Sequence, residues 1–188
     1  MSPRVTSGSA KGRRLSDVPG EGTRPVTDIV KQALFNILAG DVLDSTWWDL
    51  FGGTGAIGIE ALSRGAAFVR FVDLNRSAYE TILKNLQTTN LADRAEARRG
   101  DAFVMLAAPP DRSFDYIYIA PPQYKEMWSK ALRLLDGNPG WLGESGLAIA
   151  QLHPREYQDL ELKYLVKIEE RKYGSTLLVF YEKKENTP

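Results

Sequence analysis

Cysteine is absent from the 188-residue chain. That removes a disulfide framework, a thiolate metal site and a cysteine nucleophile. Histidine is almost absent too. His153 stands alone, so neither a His-rich metal site nor a Ser-His pair has the material it needs, and the residue reads as a surface histidine. No apolar run approaches the roughly 18 residues a membrane span requires. The N-terminus lacks the apolar stretch of a secretory signal, which points to the cytoplasm, or to an organelle if residues 1–25 include a transit remnant. Net charge is absent as well, with 24 basic against 24 acidic residues. The total therefore does not advertise a partner for nucleic acid or membrane.

The distribution of charge says more. Residues 1–25 carry Arg4, Lys11, Arg13, Arg14 and Arg24 against Asp17 and Glu21, a net +3 that leaves −3 for the remainder. This leader is rich in glycine and serine. A basic, flexible leader on a mildly acidic body suggests an arm that touches phosphate, with Lys11, Arg13 and Arg14 as the contacts. A solvated tail is the plain alternative. The turn-rich "SGSAKG" between "RVT" and "RRL" would allow a short hairpin. The chain accordingly divides into a basic arm or hairpin, 1–26, and one domain, 27–188. The length suits one ample core, and 43% apolar with 26% charged residues is an ordinary globular balance.

From Thr27 the pattern becomes periodic. "TDIVKQALFNIL" places Val30, Leu34 and Leu38 on one helical face, with Ile29, Ala33 and Ile37 beside them. Thr27 is the expected N-cap and Gly40 the expected stop. Strands and helices then alternate. Strands are expected at 46–51, 68–73, 95–100, 114–120 and 146–152, and helices at 56–65, 76–89, 102–107 and 124–135. Residues 161–183 read as two strands around Gly174. Alternation followed by a hairpin predicts an α/β protein whose parallel sheet has an antiparallel end, with helices on both faces. Trp47, Trp48, Trp128 and Trp141 read as packing residues, and "IEERKYG" as a solvated hairpin face.

"WWDLFGGTGAIGIEAL" follows a strand and opens a helix. Gly53, Gly55 and Gly58 match G-x-G-x-x-G, and Asp73 lies 20 residues beyond Gly53. That is the spacing of a dinucleotide site with its ribose-binding acid. Asp49 argues for another cofactor. A carboxylate beside the glycine turn would repel a pyrophosphate, but it can meet an ammonium directly or through water. S-adenosylmethionine carries an ammonium, a sulfonium and a ribose, and no phosphate. Asp101, after the third strand, could accept from an adenine amino group. Three acids at successive strand ends suit a cation-bearing nucleoside better than a nicotinamide dinucleotide, which stays as the rival.

"DLFGGTGAIGIEALSRGA" with "FVDLNRSA" resembles the class I methyltransferases. "KGRRL…TRPVTDIVKQALFNIL" narrows the resemblance to the bacterial 16S rRNA guanine-N2 methyltransferases of the RsmD type, from about Arg4 to the C-terminal hairpin. The resemblance implies a Rossmann-like, seven-stranded sheet with a reversed last strand and an N-terminal hairpin that contacts RNA. It implies S-adenosylmethionine as donor and a guanine amine of ribosomal RNA, naked or in the small subunit, as acceptor. Asp49, Phe51, Gly53 and Gly55 would then line the methionine side. Asp73 with Leu74 would take the ribose, and Asp101 with Ala102 the adenine. Arg24, Pro25 and Thr27 would close over the cofactor. No metal is implied, and a monomer is expected.

The loop "APPQY" after the fourth strand is where such amino-methylating families carry Asp or Asn, Pro, Pro, and an aromatic. The acid and a backbone carbonyl accept from the target amine, and the aromatic stacks on the base. Here Ala120 stands in place of the acid, and Tyr124 comes one residue late, after Gln123. Pro121 and Pro122 lack N–H donors, which leaves carbonyls at Ala120 and Pro121 to serve as acceptors. Ala120, Pro121, Pro122 and Tyr124 are the candidate catalytic residues. The two departures also motivate a rival, an RNA- or ribosome-binding module that keeps the cofactor pocket without turnover.

Overall fold

The computed structural model describes residues 2–20 and 26–188. The chain forms two compact units, Met1–Gly100 and Asp101–Pro188. Among the described residues there are seven strands, three in the first unit and four in the second. Among the described residues no helix is long and apolar enough to cross a membrane.

The first unit holds three parallel strands, β1 (Thr46–Asp49), β2 (Phe68–Asp73) and β3 (Ala95–Arg99). Trp47 and Trp48 are both fully buried although they point to opposite faces of β1. A strand covered on both sides reads as a continuous apolar run for this reason. Three helices accompany the strands: α1 (Asp28–Leu38), α2 (Ala56–Ser63) and α3 (Arg76–Thr88). Thr27 caps α1 as expected, its hydroxyl accepting from Val30 N–H at 3.3 Å. The buried stripe of α1 keeps the expected Val30, Leu34 and Leu38, but Lys31 and Phe35 flank them in place of Ile29, Ala33 and Ile37. Ile29 is 72% exposed. Phe35 stacks on Trp47 at 5.5 Å, and Lys31 goes inward with it. Ala39, at φ 47°, ends the helix in place of Gly40.

The basic leader packs along α2 and α3. Its chain reversal is closed by Val5 N–H to the Arg13 carbonyl, 2.9 Å, and Gly12 N–H to the Val5 carbonyl, 2.8 Å. One isolated antiparallel bridge, Arg4–Arg14, joins the two arms of this reversal. Side chains of α2 hold the backbone between those arms. Glu60 accepts from Thr6 N–H at 2.9 Å and Ser7 N–H at 3.1 Å, and Ser63 Oγ accepts from Ala10 N–H at 2.9 Å. Gly8 lies so close to α2 that a Cβ would sit 1.9 Å from the Ser63 carbonyl oxygen. Val5, Ala10 and Leu15 are buried.

The second unit holds β4 (Phe114–Ile119), β5 (Leu142–Leu152), β6 (Leu165–Tyr173) and β7 (Thr176–Lys183), with helices α4 (Ala102–Ala107) and α5 (Met127–Asp136). β4 and β5 are parallel; β7 runs antiparallel to β5 and to β6. β5 starts four residues before its expected start at 146, because the register shift between Phe114 and Tyr116 lets Leu142 pair with Phe114. β6 is exposed along most of its length, and its charges suit an open edge. Asp136, at the end of α5, accepts three backbone N–H groups, from Lys163, Tyr164 and Leu165 at 2.8 to 2.9 Å. That carboxylate fixes the chain as it enters β6.

Candidate active site

In the first unit the turn between β1 and α2 carries the glycines. Gly53 and Gly55 are left-handed, at φ 58° and 83°, where a side chain would be strained. Gly55 opens α2. Gly58 serves differently, since a Cβ there would lie 2.3 Å from the Phe71 ring. It lets α2 approach the sheet, the packing role of a third glycine.

Two carboxylates hold this turn. Asp73 Oδ2 accepts from Gly53 N–H at 2.9 Å, and its Oδ1 accepts from Asn75 N–H at 2.9 Å. Asp73 is half-buried. A carboxylate has about four lone-pair positions, so capacity for two hydroxyls remains. Leu74, beside it, is 65% exposed. Asp49 is only 2% exposed, and its Oδ2 accepts from Gly58 N–H at 3.4 Å. Burial pushes its carboxyl up to about 7; the Gly58 N–H opposes that and the negative Asp73 adds to it. A cation brought to the turn would relieve both costs.

Sequence reasoning missed Asn85, and no local pattern marks it. It is fully buried on α3. Its amide nitrogen donates to the Thr54 carbonyl in the glycine turn at 2.9 Å and to the Ser16 carbonyl at 3.1 Å. Its oxygen accepts from Ser16 N–H at 2.7 Å. One side chain thus ties the leader to the glycine turn. Phe51 is half-buried and Thr27 exposed. Arg24 and Pro25 lie outside the described residues. Lys11, Arg13 and Arg14 are exposed, and Arg13 Nη1 donates to the Thr88 carbonyl at 3.2 Å.

These residues suit S-adenosylmethionine. Residues 49–58 contain no lysine or arginine that could offset a pyrophosphate, while the two carboxylates offer acceptors for hydroxyls and a counter-charge for a cation.

In the second unit Asp101 caps α4, accepting from Phe103 N–H at 2.8 Å; Ala102, next to it, is buried. The loop after β4 runs from half-buried Ala120 through buried Pro121 and exposed Pro122 to half-buried Gln123. Tyr124 is 65% exposed. The helix expected from 124 starts instead at Met127, because Tyr124 and Glu126 adopt left-handed backbone at φ 63° and 53°. Tyr124 N–H donates to Glu156 Oε1 at 2.6 Å, and its ring lies 5.6 Å from that of His153. His153 is therefore half-buried beside a candidate catalytic residue and not a bystander on the surface. Among the described residues no group of three or more His, Asp or Glu could hold a metal ion.

Comparison with known proteins identifies the family. The family model described as conserved hypothetical protein 95 matches residues 3–182. "Putative rRNA methyltransferase YlbH" of Bacillus subtilis is 41% identical over 184 residues, covering 96% of this chain and 99% of that protein. "Ribosomal RNA small subunit methyltransferase D" of Escherichia coli is 34% identical over 144 residues, covering 77% and 71%. Among solved structures, "Putative methyltransferase yhhF" of Escherichia coli superposes with a TM-score of 0.86 at 28% identity, covering 98% of this chain and 99% of that one. The chain belongs to the conserved hypothetical protein 95 family, the RsmD/YlbH-type class I methyltransferases that use S-adenosylmethionine as donor.

Proposed function

We propose that this protein methylates ribosomal RNA of the small subunit, at the exocyclic N2 amine of a guanine, in the cytoplasm. The observation that carries the reading is the 34% identity over 144 residues with a protein named for small-subunit rRNA methylation. When bound, S-adenosylmethionine supplies a methyl group on a cationic sulfur. Asp73, with Leu74 beside it, orients the ribose. Asp49 keeps the glycine turn in shape and balances positive charge. Asp101 and Ala102 would take the adenine, and Arg24 and Thr27 would close over the cofactor.

The acceptor chemistry falls to the β4 loop. A guanine amine is a poor nucleophile because its lone pair is delocalised into the ring. Carbonyl acceptors at Ala120 and Pro121 would draw the N–H groups out of the ring plane and expose that lone pair. Tyr124 would stack the base, which must leave any duplex to be reached. Lys11, Arg13 and Arg14 would meet phosphates and set the grip on RNA without choosing the base.

The test is incubation with labelled methyl donor and unmodified small-subunit rRNA or particles, followed by nucleoside analysis. N2-methylguanosine is the expected product. A different methylated nucleoside would correct the target. Binding of donor and RNA with no transfer to any rRNA substrate would favour a binding module without turnover.

A further inference from the structure

The tyrosine of "APPQY" stands one residue later than an aromatic in the related pattern, and the structure shows what restrains it there. Tyr124 and Glu126 both hold left-handed backbone, at φ 63° and 53°. Two such non-glycine residues within three positions are costly and persist only where neighbours enforce them. The neighbours come from the short 3-10 turn after β5, which His153 caps. Glu156 Oε1 takes the Tyr124 N–H at 2.6 Å, and Glu156 Oε2 takes the His153 N–H at 3.3 Å. One carboxylate thus bridges the loop and the turn. The His153 ring is oriented in its own right, its Nδ1 accepting from Arg155 N–H at 3.1 Å. It lies against the Tyr124 ring, 5.6 Å away and tilted by 38°. The turn is itself braced, because Tyr157, the next residue, stacks on buried Trp128 of α5 at 5.8 Å.

A large aromatic ring left 65% exposed has no packing reason to be restrained through both its backbone and its ring. We infer that Glu156 and His153 are positioning residues of the acceptor site, holding Tyr124 ready as the platform for an unstacked purine of RNA. This rests on the reading of Tyr124 as the stacking residue. The left-handed turn compensates for the one-residue delay by changing the direction in which the side chain leaves the loop. Glu156 supplies the charge-assisted acceptor that keeps the turn, and His153 supports the ring.

The test is a double-mutant cycle with steady-state kinetics on unmodified small-subunit particles. Quenching of 2-aminopurine in a single-stranded RNA oligonucleotide gives a readout independent of turnover. Tyr124→Ala should lower kcat/KM by roughly five- to 150-fold, the worth of one stacked base, and should abolish the quenching. Glu156→Ala should reproduce much of that loss with S-adenosylmethionine affinity unchanged. Glu156→Gln, which keeps an acceptor oxygen, should restore most of it. His153→Phe should be milder than His153→Ala. Combining Tyr124→Ala with Glu156→Ala should cost no more than Tyr124→Ala alone. Full kcat/KM and full quenching in Glu156→Ala would overturn the positioning role while leaving Tyr124 in place. Multiplicative losses in the double variant would overturn it as well. Unaltered activity and quenching in Tyr124→Ala would instead remove the stacking assignment, and the inference with it.

Discussion

Lys31 Nζ sits 3.2 Å from Glu60 Oε1, with the two side chains only 1% and 0% exposed. Both charges have left water, and the structure compensates them densely. Glu60 also accepts from Thr6 and Ser7 N–H and from Arg64 Nε, at 2.8 to 3.1 Å. Lys31 in turn donates to the Arg4 carbonyl. Removing Glu60 strands Lys31, whose other partner is a carbonyl, so Glu60→Leu should cost about 3–5 kcal/mol in urea unfolding; Lys31→Met should cost less, because Arg64 still pairs Glu60. The leader should loosen at the same time, seen as faster proteolysis within residues 2–20. Replacing both partners, Lys31→Met with Glu60→Leu, should lose less than the two single changes together. A cost under about 1 kcal/mol for Glu60→Leu would show that water reaches the pair.

Asp49 makes stability and cofactor binding depend on pH in opposite senses. Its folded pKa, about 7, stands above the ordinary 3.8. The folded protein therefore holds that proton more tightly than the unfolded chain. The group's contribution is full below about pH 4 and is lost as pH rises through about 7, by up to roughly 4 kcal/mol. Asp49→Asn keeps an acceptor for Gly58 without the charge. It should be more stable than the parent above pH 7, with the gap closing on acidification. A cationic ligand prefers the ionised carboxylate, so S-adenosylmethionine affinity should rise by up to about tenfold per pH unit from pH 5 to 7 and then level off. Calorimetry across that range checks this, and a flat profile in the parent would remove Asp49 as the linked group.

The leader offers a third measurement. Lys11, Arg13 and Arg14 are exposed, while the backbone that carries them is fixed to α2 and α3. A fixed arm spends little conformational freedom on binding. Changing all three to Ala should weaken RNA binding and flatten its salt dependence by up to about 2–3 in slope, at roughly 0.7–0.9 per phosphate contact. S-adenosylmethionine affinity should not move. RNA binding with an unchanged salt slope would show that phosphates are met elsewhere.

Much of this was legible because it depends on local periodicity. The bounds of β2 and α4 follow from their apolar spacing alone. The glycine turn and Asp73 were readable because left-handed backbone and a strand-end carboxylate leave composition marks. What stayed hidden depends on contacts distant along the chain. Lys31 reads as a surface lysine until Glu60, 29 residues away, is known to face it. Asn85 bonds Ser16 and Thr54, 69 and 31 residues away, and no spacing rule anticipates either. The start of α5 lies three residues beyond the one that composition predicts, for a similar reason. Residues 124–126 have the composition of a first helical turn, but Glu156 draws Tyr124 into the left-handed region. In the leader the turn residues lie between two short strand-like runs, but its anchoring to Glu60 and Ser63 of α2 leaves no local mark in the sequence.

Ala120 gives the last prediction. It occupies the place where the resemblance implies a charged or amide acceptor, and it is half-buried ahead of two prolines. If backbone carbonyls suffice for the guanine amine, Ala120→Asp adds one charge-assisted acceptor to a working site. Such a bond is worth about 1.5–3 kcal/mol, which bounds the gain at roughly 10- to 150-fold in kcat. Two effects oppose it. A carboxylate in a half-buried position must shed water, and a loop already shaped around a methyl group must shift to admit it. The expected result is a rate equal to or above the parent's, with S-adenosylmethionine affinity nearly unchanged. Single-turnover methylation of unmodified small-subunit particles reads the chemical step directly. A large fall in that rate, with donor and RNA still bound, would overturn the prediction and show that the loop does not admit a carboxylate at position 120.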